Sequence, residues 1–132
     1  MLQLVLSLLL PILLFASAEH SFIEHPEAPH HKIEFFMQKP DGAGPFPILF
    51  LVHGYQPLSN RGGKEFVDLN YLSKFVNEGI VAVAISVPGF GASVGSRDCS
   101  GPASQKAIGA VIHHFVKSSF IDPQRMGIYG IS

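Results

Sequence analysis

The sequence has one cysteine, Cys99, and no cluster of lysine or arginine. Nine basic residues against ten acidic ones leave a formal net charge of −1. A chain with no basic patch cannot neutralise a phosphate backbone, so nucleic acid is excluded as a partner. No P-loop is present, and the Gly89/Gly91 turn has neither the third glycine nor the acidic residue of a dinucleotide site, so no cofactor is implied. There is no HExxH pattern either, and no metal is expected. An odd cysteine in an exported chain has a partner or is a buried free thiol. Cys99 lies in a Ser/Gly-rich loop with no nucleophile turn around it, so it is assigned no catalytic role.

Charged residues make up only 14% of the chain against 47% hydrophobic, and part of that apolar excess lies at the N-terminus. Leu4 to Ala16 is almost wholly apolar, and Ala16-Ser17-Ala18 before Glu19-His20 is the small-x-small pattern that signal peptidases cleave. The run is shorter than the about 20 residues that span a bilayer. Residues 1–18 are therefore expected to be a signal peptide cleaved near Ala18. The mature protein would then be secreted or extracytoplasmic, without stable membrane insertion. Residues 19–31 carry His20, His25, His30 and His31 with Pro26 and Pro29. Four histidines raise the question of a metal site, but the prolines prevent a helix that would turn them inward, so a solvated polar linker is expected.

From residue 32 to 132 the pattern is that of one domain. Lys32–Gln38 reads as a strand, and Lys39–Pro45 as a turn-rich hairpin or long loop. Ile48–Val52 and Ile80–Val87 are continuous apolar runs, as in parallel strands buried on both faces. Lys64–Glu78 shows helical periodicity through Phe66, Leu69, Leu72 and Val76, and Gly79 ends it. A second helix is expected from Pro102 to Ser118, with Ser100 as N-cap and Ala107, Ile108, Val111, Ile112 and Phe115 buried. Met126–Ile131 is a third apolar strand. This order of strands and helical crossovers specifies an α/β fold with a mostly parallel sheet and helices on both faces.

Ligands in such sheets bind beyond the carboxyl ends of the strands. Those ends carry His53-Gly54-Tyr55, then Pro88-Gly89-Phe90-Gly91-Ala92-Ser93, then Gly130-Ile131-Ser132. Gly-x-Ser after a strand is the front of the G-x-S-x-G elbow, where a sharp turn presents a nucleophilic serine and small flanking residues let the next helix pass.

Together these motifs resemble the α/β-hydrolase family over residues 32–132, nearly all of the expected mature chain. Asp122-Pro123-Gln124-Arg125-Met126-Gly127-Ile128-Tyr129-Gly130-Ile131-Ser132 is similar to the approach to the elbow in dienelactone-hydrolase-like and prolyl-oligopeptidase-like members. The resemblance implies a serine hydrolase that acts on an ester, thioester or amide through an acyl-enzyme. Ser132 would be the nucleophile, Gly130 the elbow glycine, and His53, Gly54 and Tyr55 the oxyanion turn, with the Tyr55 N–H as one donor. In this family the acid and the histidine base follow the serine, so none of the seven histidines here is the base. His53 is positional, and His113 and His114 are a surface or packing pair. The sequence is read as incomplete at its C-terminus, inactive by itself, with Met126–Ile131 as an apolar sheet edge. A small molecule or a peptide is the expected substrate. A single-domain esterase or dienelactone-hydrolase-like enzyme is favoured over a peptidase, because only a short segment separates the leader from the first strand. Two alternatives stay open: a non-catalytic binding module of the same fold, and a truncated product without function.

Overall fold

The computed structural model describes residues 17–131. Most of the expected signal peptide, and Ser132 itself, lie outside the described residues. No helix among the described residues is long and apolar enough to cross a membrane.

Five strands form one sheet: β1 (Glu19–His25), β2 (Ala28–Gln38), β3 (Phe46–Val52), β4 (Val81–Ile85) and β5 (Ile121–Gly130). Their order across the sheet is β1-β2-β4-β3-β5. β3 pairs in parallel with both β4 and β5, whereas β2 is antiparallel to β1 and β4. The sheet is thus mixed, with its parallel part where the sequence places the site. The link from Lys39 to Pro45 is not a hairpin, because β4 lies between β2 and β3.

Strand β4, Val-Ala-Val-Ala-Ile, is wholly buried and shows how the two faces differ. Val81, Val83 and Ile85 point to one face and join Phe35, Phe50, Val111 and Phe115 under helix α3 (Pro102–Val116). Ala82 and Ala84 point to the other and meet Phe36, Leu51, Phe66 and Leu72 under α1 (Lys64–Asp68) and α2 (Tyr71–Asn77). Glycine is needed at residue 63 because the two backbones come close: a Cβ on Gly63 would stand 3.0 Å from the Ala84 carbonyl carbon. Phe115 anchors α3, meeting Phe35 edge-on at 5.3 Å and Phe50 at 6.1 Å between ring centroids.

Three expectations are corrected. First, residues 19–31 are not a solvated linker. Glu19–His25 is an edge strand paired with β2 from Glu19 opposite Met37 to Lys32 opposite Glu24. Its alternation of His20, Phe22 and Glu24 with Ser21, Ile23 and His25 is a strand period hidden by its polarity. His25 is buried and its Nε2 lies 3.0 Å from the Ala103 carbonyl oxygen.

Second, the single helix expected over 64–78 is two, broken at Asn70, which is left-handed at φ 62°. Residues 66 and 72 would lie about 120° apart on a continuous helix, at roughly 100° per residue. The break lets Phe66 and Leu72 both bury fully against the sheet, and asparagine tolerates the left-handed state. Leu69, expected on the buried stripe, is exposed as a result.

Third, Ser100 does not cap α3. It is left-handed (φ 65°), and Gly101 occupies the N-cap position with no side-chain bond. Asp98 supplies the cap instead: Oδ2 accepts from the Ala103 and Ser104 N–H groups at 2.7 and 3.2 Å, and Oδ1 from the Ser104 hydroxyl at 2.5 Å. The Ser104 hydroxyl bond, followed by the backbone amides, holds the Asp98 carboxyl below its usual range. A depressed carboxyl stabilises the fold above its unfolded pKa, and the gain is lost as pH falls through the lower folded value. Asp98→Ala is expected to cost about 1 kcal/mol near neutrality. In urea melts that deficit vanishes once both carboxyl states are protonated, and an unchanged deficit at low pH would count against the cap.

Candidate active site

The carboxyl ends of β3 and β4 and the residue after β5 open onto a cleft of about 280 Å³. Its walls are His53, Gly54 and Tyr55 after β3, Val87 and Phe90 after β4, the corner Asp98-Cys99-Ser100, Ser104 of α3, and Ile131. Ile131 donates its N–H to the Val52 carbonyl at 3.1 Å, so Ile131 lies beside the His53 turn. Gly130 pairs with Val52 in the parallel register. The crowding that the elbow reading expects at Gly130 is not supplied by any described residue, since a Cβ there would meet nothing within 4 Å. Ser132, the expected nucleophile, lies outside the described residues.

His53 is buried, and its ring is held at both nitrogens. Nδ1 lies 2.8 Å from the Gly54 carbonyl oxygen, and Nε2 receives the Val87 N–H at 3.2 Å. A nitrogen facing a carbonyl must carry the proton, and one facing an N–H must not, so the ring is the neutral Nδ1–H form. Burial, the largest influence, pushes the imidazole pKa down. With neither nitrogen free, His53 cannot take a proton from a nucleophile. It ties the ends of β3 and β4 together and shapes the turn that carries Tyr55. Among the described residues the Tyr55 N–H has no acceptor, and its side chain is exposed at the cleft mouth.

A depressed histidine destabilises the fold in acid: stability is full above the unfolded pKa of about 6.5 and falls as pH drops towards the lower folded value. In NMR titrations the His53 ring signal is expected to titrate below the ordinary histidine value of about 6.5. Titration of His53 at or above that ordinary value would sink the double-tether reading.

Phe90 forms the opposite wall. Its ring meets those of His53 at 4.8 Å and Tyr55 at 6.3 Å, and the Arg97 guanidinium covers it at 4.0 Å. Arg97 Nε also donates to the Gly89 carbonyl at 3.2 Å, closing the Pro88–Arg97 turn on itself.

Sequence reasoning missed two residues that organise these walls. Gln56 is buried behind Tyr55 and grips the start of α1: its Oε1 accepts from Gly62 N–H at 2.8 Å, and its Nε2 donates to Gly62 O at 3.2 Å and Glu65 Oε2 at 2.6 Å. Glu34, on β2, is buried with 4% of its surface exposed. One signal was visible, a single carboxylate inside Ile33-Glu34-Phe35-Phe36. Cys99 is exposed on the cleft wall and has no disulfide partner among the described residues, so it is not the buried thiol that was one of its two expected states. His113 and His114 are exposed on α3, the latter tilted against Phe35 at 5.9 Å. β5 is an edge strand, as expected of Met126–Ile131, with Met126, Ile128 and Tyr129 exposed, and it pairs with β3.

Among solved structures, the 2,6-dihydroxy-pseudo-oxynicotine hydrolase superposes with a TM-score of 0.67 at 19% identity, over 86% of this chain and 29% of that one. An alpha-beta serine hydrolase homologue from Coxiella burnetii gives 0.61 at 22% identity, over 89% of this chain and 53% of that one. Esterase Est22 gives 0.66 at 16% identity, over 86% of this chain and 34% of that one. At these identities the likeness establishes the α/β-hydrolase fold, and the chain spans about half or less of the length of each. No curated protein matches the chain. The sequence pattern of the X-Pro dipeptidyl-peptidase (S15) family matches residues 32–132. Across that span the chain belongs to the X-Pro dipeptidyl-peptidase (S15) family, within the α/β-hydrolase fold.

Proposed function

We propose that the full-length protein is a serine hydrolase that cleaves a carboxylic ester, thioester or amide through an acyl-enzyme, with Ser132 as nucleophile. Ser132 would attack the carbonyl carbon and pass its proton to a histidine supplied outside this segment, oriented there by an acid. The oxyanion would sit against the Tyr55 N–H and the N–H of the residue after Ser132. The observation that carries the reading is the convergence of three strand ends on one cleft. A buried, neutral His53 braces the turn before an N–H with no acceptor among the described residues, and Gly130-Ile131, which precede Ser132 in the sequence, end β5 directly beside it.

His53 takes no proton-transfer role, because both nitrogens are committed. The cleft wall is aromatic and aliphatic at Tyr55, Phe90, Val87 and Ile131, which suits a short acyl group. A carboxylesterase of dienelactone-hydrolase type is the favoured form. The family match supports a second reading, cleavage of a peptide bond after Xaa-Pro. Export behind a cleaved leader, with a small molecule or peptide as substrate and no metal or cofactor, completes the proposal.

Short p-nitrophenyl esters and an Xaa-Pro p-nitroanilide, given in parallel to the purified full-length protein, separate the two readings. Ester turnover well above anilide turnover supports the esterase. Anilide turnover above ester turnover assigns the peptidase, and turnover of neither leaves a binding module of the same fold.

A further inference from the structure

The buried carboxylate of Glu34 has no place in the chemistry above, yet it is bonded to the turn that carries Phe90 and, through Ser86, to the start of α1. Its Oε1 receives the Ser86 hydroxyl at 2.7 Å and the Ala92 N–H at 3.1 Å. Ser86 Oγ in turn receives the Gly63 N–H at 2.8 Å, at the start of α1. The Glu34 N–H donates to Ser93 Oγ at 2.8 Å, and that hydroxyl donates to the Ser86 carbonyl at 2.6 Å. Oε2 faces His20 Nε2 of β1 at 2.8 Å, and the His20 ring lies stacked on Phe36 at 4.5 Å. One carboxylate therefore holds the Gly89–Ser93 turn, which carries Phe90, and the Gly62-Gly63 corner, which Gln56 links back to Tyr55.

A buried carboxylate that loses its donors is costly, so a strand core retains one only where several donors converge on it. An apolar side chain would fill the space equally well but could not bind two loops at once. We propose that Glu34 is a positioning residue: it sets the separation of the Phe90 wall from the Tyr55 turn, and with it the geometry of the oxyanion site. The proposal rests on the hydrolase reading for its catalytic consequence, while its structural part is tested separately.

Three variants of the full-length protein, Glu34→Leu, Glu34→Gln and Ser86→Ala, carry the test. Glutamine retains an oxygen for Ser86 and Ala92 and can donate to His20; leucine fills the site without either. In Glu34→Leu, amide exchange at Gly63 and Ala92 is expected to rise about tenfold more than at Phe50 in the centre of β3. Fluorophosphonate labelling and kcat are expected to fall about 100-fold with KM changed less than about threefold, since a small misplacement acts on the transition state. Glu34→Gln is expected to restore exchange and rate to within about threefold of wild type. Ser86→Ala is expected to loosen Gly63 and slow labelling about tenfold, and it carries the test if the leucine variant does not fold. Wild-type labelling rates in a folded Glu34→Leu, or in Ser86→Ala, overturn the proposal, as does a glutamine variant as impaired as leucine. Were the wild-type protein itself unlabelled, the Ser132 reading would fall. The exchange contrast between leucine and glutamine would still decide whether Glu34 holds the walls.

Discussion

Ser132→Ala in the full-length protein is expected to lower kcat for p-nitrophenyl esters by about 10⁴- to 10⁶-fold and to abolish fluorophosphonate labelling. The size of the loss follows from covalent catalysis. Without the hydroxyl no acyl-enzyme forms, and only binding and the oxyanion donors remain to act on a water molecule. KM is expected to change little, because the Tyr55–Phe90 cleft is untouched. Two further measurements make the result specific. The variant must retain the wild-type urea midpoint, and mass spectrometry of the labelled wild type must place the phosphonate on Ser132. A label on another serine, or a folded variant that keeps activity, removes Ser132 from the mechanism. Tyr55→Pro offers an orthogonal check, since it deletes the proposed donor N–H while Ser132 remains available. Loss of one such donor costs about 3–4 kcal/mol of transition-state stabilisation.

The largest expected effect on stability comes from one methyl group at Gly91. Its backbone is left-handed at φ +55°, and an added Cβ would overlap Glu34 Oε1 and stand 2.8 Å from Ser86 Oγ and 3.2 Å from the Arg61 carbonyl oxygen. The left-handed conformation costs a non-glycine residue about 1–2 kcal/mol. Forcing a methyl into a filled interior adds about 1–3 kcal/mol. Gly91→Ala is therefore expected to lose about 2–5 kcal/mol, which at a urea m-value of about 2 kcal/mol/M lowers the midpoint by about 1–2.5 M. Relief would require moving both the Glu34 carboxylate and the Ser86 hydroxyl, which are bonded to each other. A midpoint within about 0.25 M of wild type would mean that the turn relaxes freely, and the tight packing around Glu34 would then be wrong.

Much of the fold was legible because its signals are local. Val81–Ile85 and Ile48–Val52 read as buried strands from composition, and Ala107, Val111 and Phe115 declared the inner face of α3 by their spacing. The placement of His53, Gly54 and Tyr55 at a strand end followed from where an apolar run stops. β1 was not legible, because its polar residues carry a period of two only once Ile33 and Phe35 are known to stand beside it. The break at Asn70 was also hidden, since helical periodicity through Phe66 and Leu72 looks continuous until the sheet demands both side chains at once.

The chain's own sequence determined the strands β2 to β5, the helix α3, and the motifs at the strand ends. These depend on residues a few positions apart, whose periodicity and turn chemistry act within one element. Only the tertiary structure decided that His53 is neutral and doubly tethered, that Asp98 rather than Ser100 caps α3, and that Glu34 joins the two cleft walls. The physical reason is separation along the chain. Glu34 lies 52 residues from Ser86 and 58 from Ala92, and His53 lies 34 from Val87. Hydrogen bonds between such distant groups exist only after the sheet has brought β2, β3 and β4 side by side, so no local pattern announces them.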